Sequence, residues 1–221
     1  MNYRRDFDLF AKSRRISSLT MHNYNKRFEN SYINPSIIEE RQLNVTQLDV
    51  FSRLMMDRII WLGTGIDDTV GNIVTAQLLY LSSVDKTSSI QLYINSPGGG
   101  VHSGMSIFDC MDFIPCDVNT IVCGMAASMA FMLTINGKQR SALKHSRLMQ
   151  HQPSSGMQGS ASDMLIEAEQ IKIIRNELYE IISEKTKQPI EKVRIDCDRD
   201  YWMRASEAKT YGAIDKVIGE D

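Results

Sequence analysis

Between residues 59 and 123, short apolar segments alternate with longer segments of helical periodicity, and this alternation restricts the chain to few folds. The apolar segments cover residues 59–62, 90–94 and 121–123. Apolar residues between the first two segments recur at intervals of three and four, and a second helix is expected from about residue 102 to residue 113. Strands and helices in this succession form parallel sheets through right-handed crossovers. The sequence therefore predicts an α/β fold.

Composition and charge argue against two classes of partner. The chain has 221 residues, of which 43% are hydrophobic, which is enough for one well-buried core and short for two full domains. A formal net charge of −2 provides no basic surface for nucleic acid. No apolar run approaches the roughly 20 residues that a membrane span requires. We therefore expect one main domain that binds neither nucleic acid nor a membrane.

The four cysteines lack the spacing of a metal site. They are Cys110, Cys116, Cys123 and Cys197, which form no C-x-x-C pair, and two of them lie in apolar runs. We interpret them as reduced thiols, which are typical of the cytoplasm. The sequence thus predicts a cytoplasmic protein without a metal ion or cofactor.

Ser128 is the first candidate for chemistry. A strand-like apolar run precedes it, which we expect to break at Gly124, and we expect a buried helix over residues 126–133. A serine at a helix N-terminus lies beside backbone N–H groups that favour negative charge. The alternative is that the Ser128 hydroxyl only caps the helix, since the spacing lacks the G-x-S-x-G of a nucleophile elbow.

Two further residues could activate such a serine. His151 lies at the end of a short predicted strand, and the residue before Pro153 favours extended backbone, as residues before proline do. Asp200 ends an acidic turn. A serine hydroxyl is a weak nucleophile, so it needs an imidazole to take its proton and a carboxylate to hold the tautomer of that imidazole. The alternatives are a packed or capping histidine and a solvated acid beside a helix.

Residues 98–100 are three glycines between a predicted strand and a predicted helix. Neither G-x-G-x-x-G nor the phosphate-binding pattern G-x-x-x-x-G-K-[ST] is present, so nucleotide binding is poorly supported. One alternative is a tight turn with no other role. The other is that a glycine lets backbone N–H groups approach a reacting carbonyl, where they would stabilise the oxyanion of acyl transfer.

Four motifs, in order along residues 51–218, resemble one known family. They are Tyr93-Ile94-Asn95-Ser96-Pro97-Gly98-Gly99, Gly124-Met125-Ala126-Ala127-Ser128-Met129, His151-Gln152-Pro153, and Arg199-Asp200 before Ala205-Ser206-Glu207-Ala208. This pattern is similar to that of the Clp protease proteolytic subunits, ClpP. These are serine peptidases of the crotonase-like α/β fold, with repeated β-β-α units and a protruding handle helix. The resemblance implies that Ser128 is the nucleophile, His151 the general base and Asp200 the orienting acid.

The resemblance also assigns the groups around the substrate. The backbone N–H groups of Gly99 and Met129 would form the oxyanion hole. The segment over residues 99–102, which includes Gly100 and Val101, would be extended and would pair with the substrate backbone as an added strand. The implied activity is that of a serine endopeptidase that cuts unfolded polypeptides and short peptides.

Assembly and partners follow from the same resemblance. It implies a homo-oligomer of two stacked seven-membered rings, a tetradecamer that receives substrate from an AAA+ unfoldase ATPase, either ClpX-like or ClpA/ClpC-like. The handle would comprise about residues 154–183. Within it Met164, Ala168, Ile171, Ile174, Leu178, Ile181 and Ile182 repeat at helical spacing. The alternative is that this helix covers the core of its own domain. Arg199 would link assembly to activity by pairing with an acid across the ring interface.

The surface that would receive the ATPase departs from the family pattern. It would include Tyr93 and Phe113, whereas Gln91 and Ser141 stand where the family generally has aromatic residues. The segment over residues 136–145 is also shorter than is usual in the family. We therefore expect a change in docking affinity or in partner identity rather than in catalysis.

The chain is divided by the resemblance into three segments. Residues 1–33 would be a propeptide or N-terminal extension, residues 34–50 an axial N-terminal loop that lines the pore, and residues 51–221 the peptidase domain. The alternative for the second segment is a plain surface hairpin. Two other functions remain open, namely a catalytically silent ring subunit, which should lack a triad residue, and a crotonase-like acyl-CoA enzyme that uses the glycine run as an oxyanion hole.

Overall fold

The computed structural model describes residues 36–41, 44–156 and 158–220. By its internal contacts the chain divides into two units, residues 1–50 and 51–221. In the first unit, β1 (Ser36–Arg41) and β2 (Asn44–Asp49) form an antiparallel hairpin. This backbone fits both the predicted axial loop and a plain hairpin. The predicted propeptide lies outside the described residues.

Seven strands in the described part of the second unit form one mixed sheet. They are β3 (Ile59–Leu62), β4 (Ile90–Ser96), β5 (Val118–Ala127), β6 (Arg140–Leu143), β7 (Arg147–Gln150), β8 (Tyr201–Arg204) and β9 (Lys216–Ile218). The strands β3, β4, β5, β6 and β9 are parallel neighbours in that order. The strand β7 pairs in parallel with β5 and antiparallel with β8. The α/β fold is therefore confirmed.

Helices connect most of these strands. They are α1 (Val50–Met56), α2 (Asp68–Val84), α3 (Val101–Phe113), α4 (Met129–Ile135), α5 (Ala161–Thr186), α6 (Ile190–Asp196) and α7 (Ala205–Tyr211). Asp67 caps α2, because its carboxylate accepts a hydrogen bond from the Val70 N–H at 2.8 Å. Within the described residues, no helix is both long enough and apolar enough to cross a membrane.

The core lies between the sheet and helices α2, α3 and α4. Alternate residues of β4, Ile90, Leu92 and Ile94, are fully buried and belong to one cluster with Leu78 of α2 and Ile107 of α3. All seven residues of α4 are buried. Each buried aliphatic side chain of this kind contributes about 1.5–3 kcal/mol to folding. The helix α4 is thus fixed inside the domain, and the turn that leads into it is fixed with it.

The strand β5 does not break at Gly124, so that prediction is wrong. It continues to Ala127, because Gly124 remains in the strand with a φ of +96°, which glycine adopts without steric cost. The pairing of β4 with β5 shifts register between Ile94 and Ser96. The extra residues of β5 are absorbed there as a bulge.

The helix that follows β5 begins at Met129 rather than at Ala126, which corrects the predicted range of 126–133. Ala126 and Ala127 stay extended because they pair with β7. The sequence suggested a helix because this stretch is a continuous run of small and apolar residues, which does not distinguish a buried strand from a buried helix. Ser128 is left alone in the turn between strand and helix.

The long helix α5 is buried along its second half only. Its buried residues are Leu178, Tyr179, Ile182 and Thr186. By contrast, Leu165 and Ile166 expose 73% and 65% of their surface. The alternative that this helix covers the core of its own domain therefore holds only near its C-terminal end. In the single chain, the first half leaves apolar side chains uncovered.

Candidate active site

The turn between β5 and α4 presents Ser128. Its backbone has a φ of +54° and a ψ of −123°, a conformation that costs a non-glycine residue about 1–3 kcal/mol. The Ser128 N–H donates to the Met149 carbonyl at 2.9 Å, which ties the turn to β7. The hydroxyl makes no capping hydrogen bond to α4. The capping alternative is therefore wrong, and the hydroxyl is available for another contact.

The register of the sheet brings His151 and Asp200 together. The strands β7 and β8 are antiparallel, and Gln150 pairs with Tyr201. In an antiparallel pair, the residue after one partner lies opposite the residue before the other. His151 and Asp200 occupy those two positions, although 49 residues separate them in the sequence.

The three predicted residues are within hydrogen-bonding distance of one another. The Ser128 Oγ lies 2.9 Å from His151 Nε2, and His151 Nδ1 lies 2.9 Å from Asp200 Oδ1. An ionised carboxylate only accepts hydrogen bonds, so Nδ1 carries the imidazole proton and Nε2 accepts the serine O–H. This order of contacts can activate a hydroxyl for attack on a carbonyl carbon.

In the single chain, the side of the site that contains Asp200 is open to solvent. The His151 side chain exposes 27% of its surface, and the Asp200 side chain exposes 60%. A depression of about 580 Å³ runs along this side, lined by residues 151–154 and 198–200. Water screens an exposed carboxylate, so Asp200 holds the imidazole less strongly than a buried acid would.

The glycine loop packs against the same turn. Gly98 and Gly99 have φ values of +86° and +154°, which side chains rarely allow. A Cβ at Gly98 would lie 2.7 Å from the Ser128 Cβ and 2.8 Å from the Met129 nitrogen. Only glycine lets the loop approach Ser128 this closely.

The backbone N–H groups of Gly99 and Met129 are the predicted oxyanion donors. The Ile66 N–H donates to the Gly98 carbonyl at 2.8 Å, and the Gly100 N–H donates to the Ile66 carbonyl at 2.7 Å. The N–H of Gly99 therefore points away from Ile66. The Met129 N–H belongs to the first helical residue of α4, where no intrahelical acceptor exists.

The extended segment predicted over residues 99–102 is shorter than expected. The helix α3 begins at Val101, so Val101 and His102 are helical, and Gly100 occupies the N-cap position. The Gly100 N–H is used by Ile66. The Gly100 carbonyl accepts from the Gly104 N–H at 2.9 Å, so only the backbone of Gly99 remains as an extended edge.

A small cavity of about 20 Å³ lies beside Ser128 and His151. Its apolar walls are formed by Val101, Met129, Phe131, Met132, Leu178 and Ile182. Gln150 is a further polar residue of the lining. Sequence reasoning missed Gln150, because a polar residue in a strand of four does not reveal which face of the sheet it occupies.

The predicted docking residue Tyr93 lies on the outer face of the sheet. In successive pairs, Trp61 lies beside Tyr93, Tyr93 beside Ile121, and Ile121 beside Ser141. The rings of Trp61 and Tyr93 stack with centroids 6.1 Å apart. Trp61 was not predicted as a surface residue, although its alternation with the buried residues of β3 could have indicated it.

The other predicted surface residues are also accessible. Phe113, at the end of α3, exposes 80% of its surface. Gln91 donates its side-chain amide to the Ser89 hydroxyl at 3.0 Å. Arg199 is exposed and donates to the Asp198 carbonyl at 3.0 Å. Within the described residues, no carboxylate forms a salt bridge with Arg199.

Comparison with known proteins gives consistent matches over most of the chain. A family model described as Clp protease matches residues 41–221. The chain is 58% identical to the ATP-dependent Clp protease proteolytic subunit of Porphyromonas gingivalis over 194 residues, 87% of each chain. It is 60% identical to the subunit of that name from Bacteroides fragilis over 189 residues, 85% of this chain and 91% of the relative. The subunit from Bacteroides thetaiotaomicron is 59% identical over 189 residues, 85% of this chain and 86% of the relative.

Proposed function

Because the chain belongs to the Clp protease family and is a serine endopeptidase, we propose that Ser128 is its nucleophile, His151 its general base and Asp200 its orienting acid. The observation that carries this proposal is the pair of 2.9 Å contacts that link the three side chains through the two nitrogens of one imidazole. The alternative of a catalytically silent subunit is disfavoured, because all three groups are present and in contact.

The chemistry follows from these contacts. The Ser128 Oγ attacks the carbonyl carbon of the scissile bond while His151 Nε2 takes the hydroxyl proton. The resulting imidazolium is stabilised by Asp200 and gives the proton to the leaving amine as the C–N bond breaks. The acyl group remains on Ser128 as an ester. A water molecule, deprotonated by His151, then attacks the ester carbon. The bond from that carbon to Ser128 Oγ breaks, the imidazolium returns its proton to Oγ, and the acid is released.

The negative charge of the tetrahedral intermediate needs preorganised donors. We assign this role to the backbone N–H groups of Gly99 and Met129, as the family resemblance implies. The closeness of the glycine loop to the Met129 nitrogen supports the assignment. Each such donor is worth about 3 kcal/mol of barrier.

Substrate binding is assigned to the same loop. The Gly99 backbone would pair with an extended substrate, Gly100 would fix the turn beside it, and the side chain of Val101 would contact the substrate at the cavity beside Ser128. An extended backbone is available in an unfolded polypeptide or a short peptide. The acyl-CoA alternative is disfavoured, because a serine and histidine in contact are the groups of acyl transfer to a hydroxyl.

The assembly is proposed to be a barrel of two stacked seven-membered rings that receives unfolded polypeptides from an AAA+ unfoldase. The names of the relatives describe a proteolytic subunit of an ATP-dependent protease, which implies association with Clp ATPases. The apolar side chains exposed on the first half of α5 support a contact between rings through this handle. Tyr93 and Phe113, together with Trp61, are proposed to receive the ATPase.

The axial role of residues 34–50 and a cytoplasmic location both remain proposals. The first rests on the family resemblance. The second is supported by the free thiols of all four cysteines, three of which are buried. Fractionation of the producing cell with an antibody against the protein tests the location.

Covalent labelling tests the catalytic assignment. A fluorophosphonate should attach to Ser128, and peptide mapping by mass spectrometry should find the added mass on that residue. Ser128→Ala should lose the label together with peptide hydrolysis, by about a million-fold in kcat. The matched control is Ser83→Ala, whose exposed hydroxyl on α2 donates only to the Tyr80 carbonyl. Label on another serine, or more than trace activity in Ser128→Ala, would overturn the assignment.

A further inference from the structure

Gln150 carries a buried acceptor that the protein itself does not use. Its surface is 1% exposed, and its Nε2 donates to the Tyr211 hydroxyl at 2.8 Å. Its Oε1 is buried and forms no hydrogen bond with any of the described residues. A buried acceptor without a donor is costly, and native proteins rarely keep one without a reason.

The orientation of this amide is fixed by its neighbours. The Tyr211 hydroxyl donates to Asp196 Oδ2 at 2.9 Å, and the same oxygen accepts from Lys192 Nζ at 2.6 Å. Burial raises the pKa of Tyr211, so its hydroxyl keeps the proton that it donates. A hydroxyl has a single hydrogen, so the Tyr211 oxygen can only accept from Gln150. The Nε2 must therefore face Tyr211, and the Oε1 is the group left over.

Gln150 also lines the cavity beside the nucleophile. The cavity of about 20 Å³ is bounded by Ser128, His151 and apolar side chains that include Met129 and Met132. This volume holds about one water molecule. Methionine side chains are flexible, so the two methionines can move aside for a larger occupant.

We propose that Gln150 Oε1 accepts a hydrogen bond from the side chain of the substrate residue on the acyl side of the scissile bond. The site would then favour side chains with an apolar stem and an uncharged N–H or O–H donor. Glutamine, asparagine and tyrosine have this form. The proposal rests on Ser128 as the nucleophile. The attacked carbon must come within about 3–3.5 Å of Oγ, which places the neighbouring side chain at this cavity. A charged donor is disfavoured, because burying its charge among the apolar walls would carry a desolvation cost.

Matched peptides test this preference. The substrates are peptidyl aminocoumarin amides that differ only in the acyl-side residue, glutamine against methionine and tyrosine against phenylalanine. Wild type should favour the donor-bearing member of each pair by about tenfold in kcat/KM, as one buried hydrogen bond would give. Gln150→Met, which keeps the length of the side chain but lacks the acceptor, should reduce the ratio to about one.

Two controls separate this inference from general damage. Leu178→Met changes another wall of the cavity without altering its polarity, so it should change both rates together and keep the ratio within about twofold. Gln150→Leu provides a second variant without an acceptor in case Gln150→Met does not fold. Hydrolysis that depends on Ser128 but shows no preference in wild type, or a preference that survives both Gln150 variants, overturns this inference alone. Hydrolysis that persists in Ser128→Ala overturns the proposed function instead.

Discussion

Gly98→Ala is expected to remove most of the peptidase activity while leaving the fold in place. The added methyl group would lie 2.7 Å from the Ser128 Cβ and 2.8 Å from the Met129 nitrogen. Nonbonded carbon atoms normally remain about 3.5–4.0 Å apart. The φ of +86° at this position adds about 1–2 kcal/mol of strain for an alanine. The overlap can be relieved only by moving the glycine loop or the turn at Ser128.

Either movement displaces a donor of the proposed oxyanion hole. The loop carries the Gly99 N–H, and the turn carries the Met129 N–H. Loss of one such donor costs about 3 kcal/mol, which corresponds to about 10²–10³ in kcat. The donors act mainly on the transition state, so KM should change much less than kcat.

The assay is the measurement of kcat and KM with a fluorogenic peptide, together with thermal unfolding of the same preparations. Gly156→Ala is the matched control, because a Cβ at Gly156 meets no atom within 4 Å and the residue needs no positive φ. This control should keep kcat within about twofold of wild type. A folded Gly98→Ala protein with kcat within about threefold of wild type would refute the reasoning about the loop.

Two further predictions concern stability and assembly. Partial burial raises the pKa of Asp215, but hydrogen bonds from Arg140 and the charge of Arg140 hold this pKa below the ordinary value of 3.8. A lowered carboxyl pKa stabilises the folded state above the unfolded pKa, so Asp215→Asn should lower stability by about 1 kcal/mol near pH 7. The difference in melting temperature between variant and wild type should shrink as the pH falls below 3.8. An equal difference at pH 3 and pH 7 would argue against this role of Asp215. Arg199→Ala should yield smaller species with little peptidase activity by native mass spectrometry, whereas Arg194→Ala, whose partner Glu191 lies on the same helix at 3.7 Å, should assemble normally. A fully assembled and active Arg199→Ala protein would contradict the proposed link between assembly and activity.

The chemistry of the site was more predictable from the sequence than its geometry. A serine, a histidine and an aspartate in recognisable motifs indicated the residue types and their roles. Their distances depend on pairing between strands that are far apart in the sequence, since 23 residues separate Ser128 from His151 and 49 separate His151 from Asp200. Local periodicity contains no information on such pairing, so it could not show that the three side chains meet.

The errors in the fold have the same origin. Gly124 indicated the end of a strand, but the bulge in β5 and the added strand β7 keep the chain extended to Ala127. Long-range pairing overrode the local preference. In α5, the repeat of apolar residues left open whether the helix protrudes as a handle or covers the core of its own domain. The repeat gives the period of the apolar face, but it does not show where the rest of the domain ends and leaves the helix uncovered.

The precision of the site depends on buried core residues in the strands that position it. Ala126 of β5 pairs with Leu148 of β7, and Leu148 pairs with Met203 of β8. All three are buried, with exposures of 0%, 0% and 2%. A slip of one residue in either pairing would move side chains of the slipped strand out of the core cluster to the opposite face, which in β8 is the face where Trp202 exposes 49% of its surface. The hydrophobic core therefore fixes the register of three strands, and that register sets where Ser128, His151 and Asp200 stand relative to one another.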